Sequence, residues 1–206
     1  VARDYERFLT TYTDGAGRSV YSARIGAMAQ ANGASLHVSY AHLAEAAPFL
    51  ARLVASRPKE TLAVFDEATM RVVLRLFEHY DAIVPAVRVR ITDFAARDEL
   101  RDLRHGHLDA LVRVSGVVTR RTGVLPELSV VRYVCAKCGA LLGPFVADAG
   151  GSSVPGACPE CASRGPFNVD AAKTVYRDLQ RLTVQEAPGS VPAGRLPRSR
   201  EVLLLG

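Results

Sequence analysis

All four cysteines of this 206-residue chain fall in two pairs, Cys135-Ala-Lys-Cys138 and Cys158-Pro-Glu-Cys161, with nineteen residues between the pairs. A two-residue spacer lets both sulfurs of a pair reach one ion, and two such pairs complete a tetrahedral thiolate cage. Gly139, just after the first pair, permits the backbone to fold back beneath that ion. The insert 141–157 is long enough for a short hairpin between the pairs. The chemistry expected is structural Zn2+, because four thiolates leave no open coordination position for water or substrate. Disulfides or a redox pair are the competing readings; the expected intracellular character and the lack of a fifth cysteine count against both. A zinc deaminase would need a His or Cys ligand followed two residues on by Glu, and none of the five histidines offers one. His105 and His107 are read as ordinary surface or core histidines.

A second chemistry-bearing stretch is APGSVPAGRLPRSR, residues 187–200, with three prolines, three arginines and no acid. Composition alone leaves it open between a disordered basic tail and a shaped loop. The charge balance gives it context. The net charge is +5; residues 1–100 carry twelve basic and twelve acidic side chains, and 101–206 carry fourteen and nine. The excess lies in the second half, which suggests an anionic partner there, phosphate being the usual candidate. The 23 arginines against three lysines suit bidentate phosphate contacts, although codon bias would give the same preference.

Catalytic signatures are missing. There is no GxxxxGK[ST] phosphate loop, no GxSxG elbow and no HExxH. Acid pairs such as Asp66-Glu67 and Asp98-Glu99 lie beside basic residues and read as solvated faces. This segment by itself is not expected to be an enzyme. No apolar run approaches the roughly 20 residues that span a bilayer, and the amino terminus has no signal-peptide core, so a soluble intracellular protein with no membrane partner is expected.

The elements that must position these residues divide by period. Tyr5, Phe8, Leu9 and Tyr12, and then Tyr21, Ile25 and Met28, recur at helical spacing, and Asn32-Gly33 stops the second run. Leu36, Val38 and Tyr40 suggest an extended connector, and Pro48 and Pro58 bound a helix. The strongest helix is expected over about Lys59 to Tyr80, burying Leu62, Phe65, Val72, Val73, Leu76, Phe77 and Tyr80. From Val84 the period becomes two: VRVRIT, LVRVSGVV, ELSVVRYV, TVYRDLQRLTV and REVLLL are strand candidates. About five strands with Gly-marked bends suggest a small barrel of the oligonucleotide-binding (OB) type. The fold class expected is therefore α+β: an N-terminal helical bundle over 1–83 and an OB-type β-barrel over 84–206, with a four-cysteine zinc module, 132–166, inserted in the barrel.

That order resembles the amino-terminal region of the minichromosome-maintenance (MCM) replicative helicase family. The strings that carry the resemblance are FDEA (65–68), LRDLRHGHLDALVRVSGVVTRRTGVLPEL (100–128), YVCAKCG, and TVYRDLQRLTVQEAPGSVPAGRLPRSREVLLL (174–205), so it covers essentially the whole chain. LGPF (142–145) and GPF (165–167) look most like the subunit-two paralogue of the eukaryotic heterohexamer. The resemblance implies a DNA-binding, ring-forming collar acting in DNA replication in the nucleus. The family's ATPase, with its ATP and Mg2+, would follow Gly206. It implies as partners single- and double-stranded DNA, the other MCM subunits in a heterohexamer and double hexamer, and origin-loading and helicase-activating factors. By position, Arg195, Arg198 and Arg200 fall on the family's channel hairpin and Arg120 and Arg121 on its barrel surface, and Lys173 is a further candidate contact. Leu179 stands where some paralogues carry a basic residue. The resemblance also implies that the zinc module supports ring-to-ring contacts.

Two other readings remain open to the sequence. The segment could be chiefly a subunit-docking scaffold with negligible DNA affinity of its own, which the near-neutral first half favours. An unrelated zinc-ribbon and OB protein acting on RNA is disfavoured by the strings above.

Overall fold

The structure is a computed structural model that describes residues 1–148, 151–152 and 154–206. The chain divides into two compact units, Val1–Ser115 and Gly116–Gly206.

The first unit begins with α1 (Ala2–Thr11) and α2 (Val20–Gln30), whose helical stripes bury Tyr5, Phe8 and Leu9, and Tyr21, Ile25 and Met28. Asn32 takes the left-handed conformation after α2 (φ 50°), and the Gly33 N–H closes back onto the Met28 carbonyl. Strand β1 (Ser35–Ser39) follows, then α3 (Tyr40–Ala46), α4 (Pro48–Ser56) and α5 (Pro58–Leu76). Pro48 and Pro58 each open a helix, where the missing N–H leaves no bond unmade. The Tyr5 and Phe65 rings stack at 3.8 Å with planes 2° apart, which locks α1 against α5. Glu6 adds ion pairs to Arg71 (2.7 Å) and Arg75 (2.8 Å).

Three expectations change here. Strand β2 (Arg88–Thr92), placed by its alternation in the barrel, instead pairs in parallel with β1, setting Leu36 beside Val89 and Val38 beside Ile91. Asp66 of α5 fixes it there, accepting the Val89 N–H at 2.7 Å and an Arg88 N–H at 3.1 Å. Val84, Val87 and Val89 join the helical core, inside the first compact unit. Helix α5 stops at Leu76, four residues short of expectation: Phe77 turns extended and His79 left-handed, leaving Leu76 and Phe77 exposed at 53% and 37% while Tyr80 stays buried. Within LVRVSGVV, residues 111–116 form no strand, Val114 making only a bridge to Asp98.

The second unit is built on antiparallel strands. They are β3 (Val117–Arg121), β4 (Leu125–Cys135), β5 (Leu141–Asp148), β6 (Gly151–Ser152), β7 (Phe167–Val169), β8 (Val175–Gln185) and β9 (Ser199–Leu205). The sheet runs β3-β8-β4-β5-β6, with β7 also on β4 and β9 also on β8. Strands β3 and β4 lie end to end along one edge of β8, pairing with 182–185 and 175–179 respectively, while β9 takes the other edge over 179–185. The pairings form an open path among the described residues. The expected hairpin in the cysteine insert exists as β5 and β6, joined by Ala147↔Ser152 and Asp148↔Gly151; its tip lies outside the described residues. The fold is α+β.

Candidate metal centre and nucleic-acid interface

Strand β4 ends on Cys135, which pairs with Phe167 of β7, so the first cysteine is delivered by sheet register. The two knuckles then repeat one pattern. The Gly139 N–H donates to the Cys135 carbonyl (2.8 Å) and the Cys135 N–H to the Ala140 carbonyl (2.9 Å). Likewise the Ala162 N–H donates to Cys158 (2.9 Å) and the Cys158 N–H to Ser163 (2.8 Å). Both turns need a left-handed residue after the second cysteine: Gly139 at φ +73° and Ala162 at φ 54°. Glycine adopts this freely and alanine at a cost.

The four Sγ atoms lie within 4.8 Å of one another. Cys135–Cys161 is 3.7 Å and Cys138–Cys158 3.6 Å. A metal bound at about 2.3 Å from four sulfurs sets a tetrahedral edge of about 3.8 Å, whereas a disulfide would need about 2.05 Å. The donor set thus fits a tetrahedral metal ion. Backbone N–H groups of Cys138 and then Lys137 point at the Cys135 sulfur and push its thiol down to about 7. At Cys138 the Ala140 N–H works the same way but is outweighed by desolvation and by the Cys161, Cys158 and Cys135 thiols, so this thiol is pushed up to about 12. Four sulfurs in one space cannot all ionise without a cation among them.

Beneath the cage pack Val131, Tyr133 and Leu142, flanked by Phe145 and Phe167. These phenylalanines close two matching Gly-Pro-Phe steps, each with a positive-φ glycine (Gly143, +112°; Gly165, +125°) and a cis proline. The sequence thus holds an internal repeat that cysteine spacing alone does not reveal: CxxC, a left-handed residue, then Gly-Pro-Phe, at 135–145 and 158–167.

The stretch 187–200 is a loop anchored at both ends. Register carries through Gln185↔Ser199, and the Glu186 N–H donates to the Arg198 carbonyl while the Arg198 N–H donates to Glu186 Oε2, both at 3.0 Å. A 3-10 turn at Pro188–Ser190 and the left-handed Gly194 (φ +76°) bend it. The basic-tail reading is thus replaced by a shaped loop in which Arg195 and Arg198 are exposed, with exposed Arg200 at the start of β9.

The other basic candidates are dispersed. Arg120 and Arg121 are exposed on β3 but, as neighbours in a strand, lie on opposite faces. The pairs Arg120↔Thr183 and Arg121↔Leu182 put Arg121 on the face of Arg200, which pairs Val184. Lys173 is exposed in the turn before β8, at the far end of an 11-residue strand from the hairpin, roughly 30 Å away. Sequence reading passed over Arg181, half-exposed on the Arg120 face and 3.8 Å from Glu201; the alternation along β8 was the signal for it. Arg177 is tied to Glu127 at 2.7 Å. Leu179 is buried, paired with Leu125 and Leu205, which fits an apolar residue there.

Comparison with known proteins agrees with this architecture. Residues 2–93 match the family described as "MCM N-terminal domain" and residues 99–206 that described as "MCM OB domain". The chain is 48% identical over its whole length to the "DNA replication licensing factor mcm2" of Schizosaccharomyces pombe. It is 44% identical to the Drosophila melanogaster Mcm2 and 41% to the Arabidopsis thaliana MCM2, again along its whole length. Against the Arabidopsis MCM4 it is 28% identical over 71% of its length. The chain spans about a quarter of the length of the Mcm2 relatives. Two adjoining family matches, on a helical unit and on a strand unit with a four-cysteine cluster, show that the chain belongs to the MCM family and resembles its Mcm2 members.

Proposed function

We propose that this chain is the DNA-contacting, ring-forming collar of a replicative helicase subunit. The observation that carries the reading is the hairpin 187–198, fixed between two strands and presenting Arg195 and Arg198, with Arg200 at its base. Arginine meets phosphate with a pre-oriented fork, and phosphate contact ignores base sequence, as a helicase requires. Charge supports it: residues 116–206 carry eleven basic and seven acidic side chains, against fifteen and fourteen in 1–115. Arg120, Arg121 and Lys173 contribute as secondary contacts.

The four cysteines hold a structural Zn2+ that closes the module 132–166 and takes no part in bond-making. ATP and Mg2+ belong to a motor domain elsewhere in the parent protein. The partners are single- and double-stranded DNA, the other MCM subunits in a heterohexamer and double hexamer, and loading and activating factors, all in the nucleus. The near-neutral charge of 1–115 favours a docking role for the helical unit within the same collar.

The test is a titration of labelled single-stranded DNA at several salt concentrations. Replacing Arg195 and Arg198 together by Ala is expected to weaken binding and to flatten the log K against log salt slope by about 1.4, roughly 0.7 per phosphate released. An unchanged slope sinks the assignment of these arginines, and no binding at low salt favours a pure scaffold.

A further inference from the structure

Between the hairpin and β3 lies a cavity of about 450 Å³. Val117 lines it from β3, and Val191, Pro192 and Pro197 from the hairpin. Polar groups enter at defined places. Glu186 is 5% exposed and accepts the Arg198 N–H. Gln185 is half-buried, and its side-chain amide has no hydrogen-bond partner among the described residues. Arg195 also lines the cavity.

These features select among occupants. An inorganic anion would suit Arg195 but leave the proline and valine walls wet, and it would meet the Glu186 carboxylate. An aliphatic side chain would suit the walls but bury Arg195 and Gln185 without partners, which costs free energy. A nucleotide within a strand suits the walls, Gln185 and Arg195 together. Its phosphate reaches a guanidinium, its ring faces bury against apolar side chains, and its polar edge meets an amide.

We propose that this cavity receives one unstacked nucleobase of the single strand whose phosphate Arg195 holds. The Gln185 amide offers a donor beside an acceptor and serves either order by turning over, so any base edge is met. Recognition then stays tolerant of sequence while exceeding what phosphate contact alone supplies. The volume sits at the small end of the roughly 300–1,000 Å³ typical of ligand sites, enough for a base and not for a stacked pair with its sugars. This inference deepens the DNA-contact reading and rests on it.

The experiment compares the intact 206-residue chain binding a labelled oligodeoxycytidylate and an abasic strand of equal length across a salt series. Both strands carry the same phosphates, so the salt slopes are expected to agree while the abasic strand binds about tenfold more weakly, the order of one stacked base. Ala193→Phe, on an exposed hairpin position, and Thr119→Trp, from the β3 side, each fill the cavity and are expected to remove that tenfold difference with the slope kept. Equal affinity for the two strands overturns the base pocket while leaving the phosphate reading intact. A difference that survives both filling variants overturns it too, since the base then binds elsewhere. Absence of binding by either strand at low salt overturns both readings together.

Discussion

In Val1–Ser115 twenty buried apolar residues form one cluster, with Tyr5, Tyr21 and Phe65 fully enclosed. In Gly116–Gly206 the corresponding cluster among the described residues is Val131, Tyr133, Cys135, Leu142 and Cys158, two of them cage thiols. Elsewhere in the second unit apolar side chains face outward: Val117, Val118, Leu125, Val175, Tyr176 and Leu203 to Leu205 are 41–55% exposed. One unit buries a large apolar core; the other has a small cluster beside four cysteines able to hold a metal ion, and a sheet that leaves much apolar surface exposed. The arginine hairpin is attached to the second kind of unit, whose buried cluster is small and centred on the cysteines.

The largest expected effect follows from that contrast. Strong chelation, or Cys138→Ser, removes a contribution on the order of 10 kcal/mol from the module. The expected outcome is loss of β-sheet signal and increased protease cleavage within 132–166, with the helical signal of 1–115 retained; metal analysis near one ion per chain beforehand fixes the starting point. Loss of both units together would break the comparison. The converse change is Phe65→Ala, which removes the ring stacked on Tyr5 and is expected to cost about 3–5 kcal/mol. Thermal melts should show the helical transition falling while bound metal is unchanged.

The same contrast governs what could be read from the chain beforehand. Helical stripes such as Tyr5, Phe8 and Leu9 were legible because a helix sorts its own residues by period. The cysteine cage was legible because the chemistry fixes the spacing. Strand type was legible for RVRIT, though not for 111–116, and strand partners were not: RVRIT has the same alternation whether it pairs in a barrel or with β1, where Asp66, distant in sequence, holds it. The end of α5 was missed because Leu76 and Phe77 continue the apolar stripe past the point where the backbone turns extended. For the hairpin, composition suggested disorder; the strands on either side and the Glu186–Arg198 bonds shape it.

A smaller effect tests whether the module depends on close backbone approach as well as on the ion. A Cβ on Gly143 would meet the Val131 carbonyl oxygen and the Phe145 ring, both at 3.0 Å, at a φ of +112° that side chains avoid. Gly143→Ala is expected to cost about 1–3 kcal/mol, the range for strained backbone. Metal-dependent folding, followed by titrating metal into the stripped chain, should weaken accordingly, and Phe65-centred melting should not move.

The smallest effect compares the two knuckles with each other. Ala162 stands where the first knuckle has Gly139, in the same left-handed conformation, and a Cβ there costs about 1–2 kcal/mol relative to an unstrained residue. Glycine removes that strain but adds unfolded-chain entropy of about 0.4–1 kcal/mol, so Ala162→Gly is expected to tighten metal binding by at most about 1.6 kcal/mol. Gly139→Ala, with open space around the new Cβ, is expected to loosen it by a similar amount. Competition with a chromogenic chelator reads both changes. Opposite signs at the two positions mean that backbone conformation limits the cage; equal signs mean that something other than the left-handed turn sets its affinity.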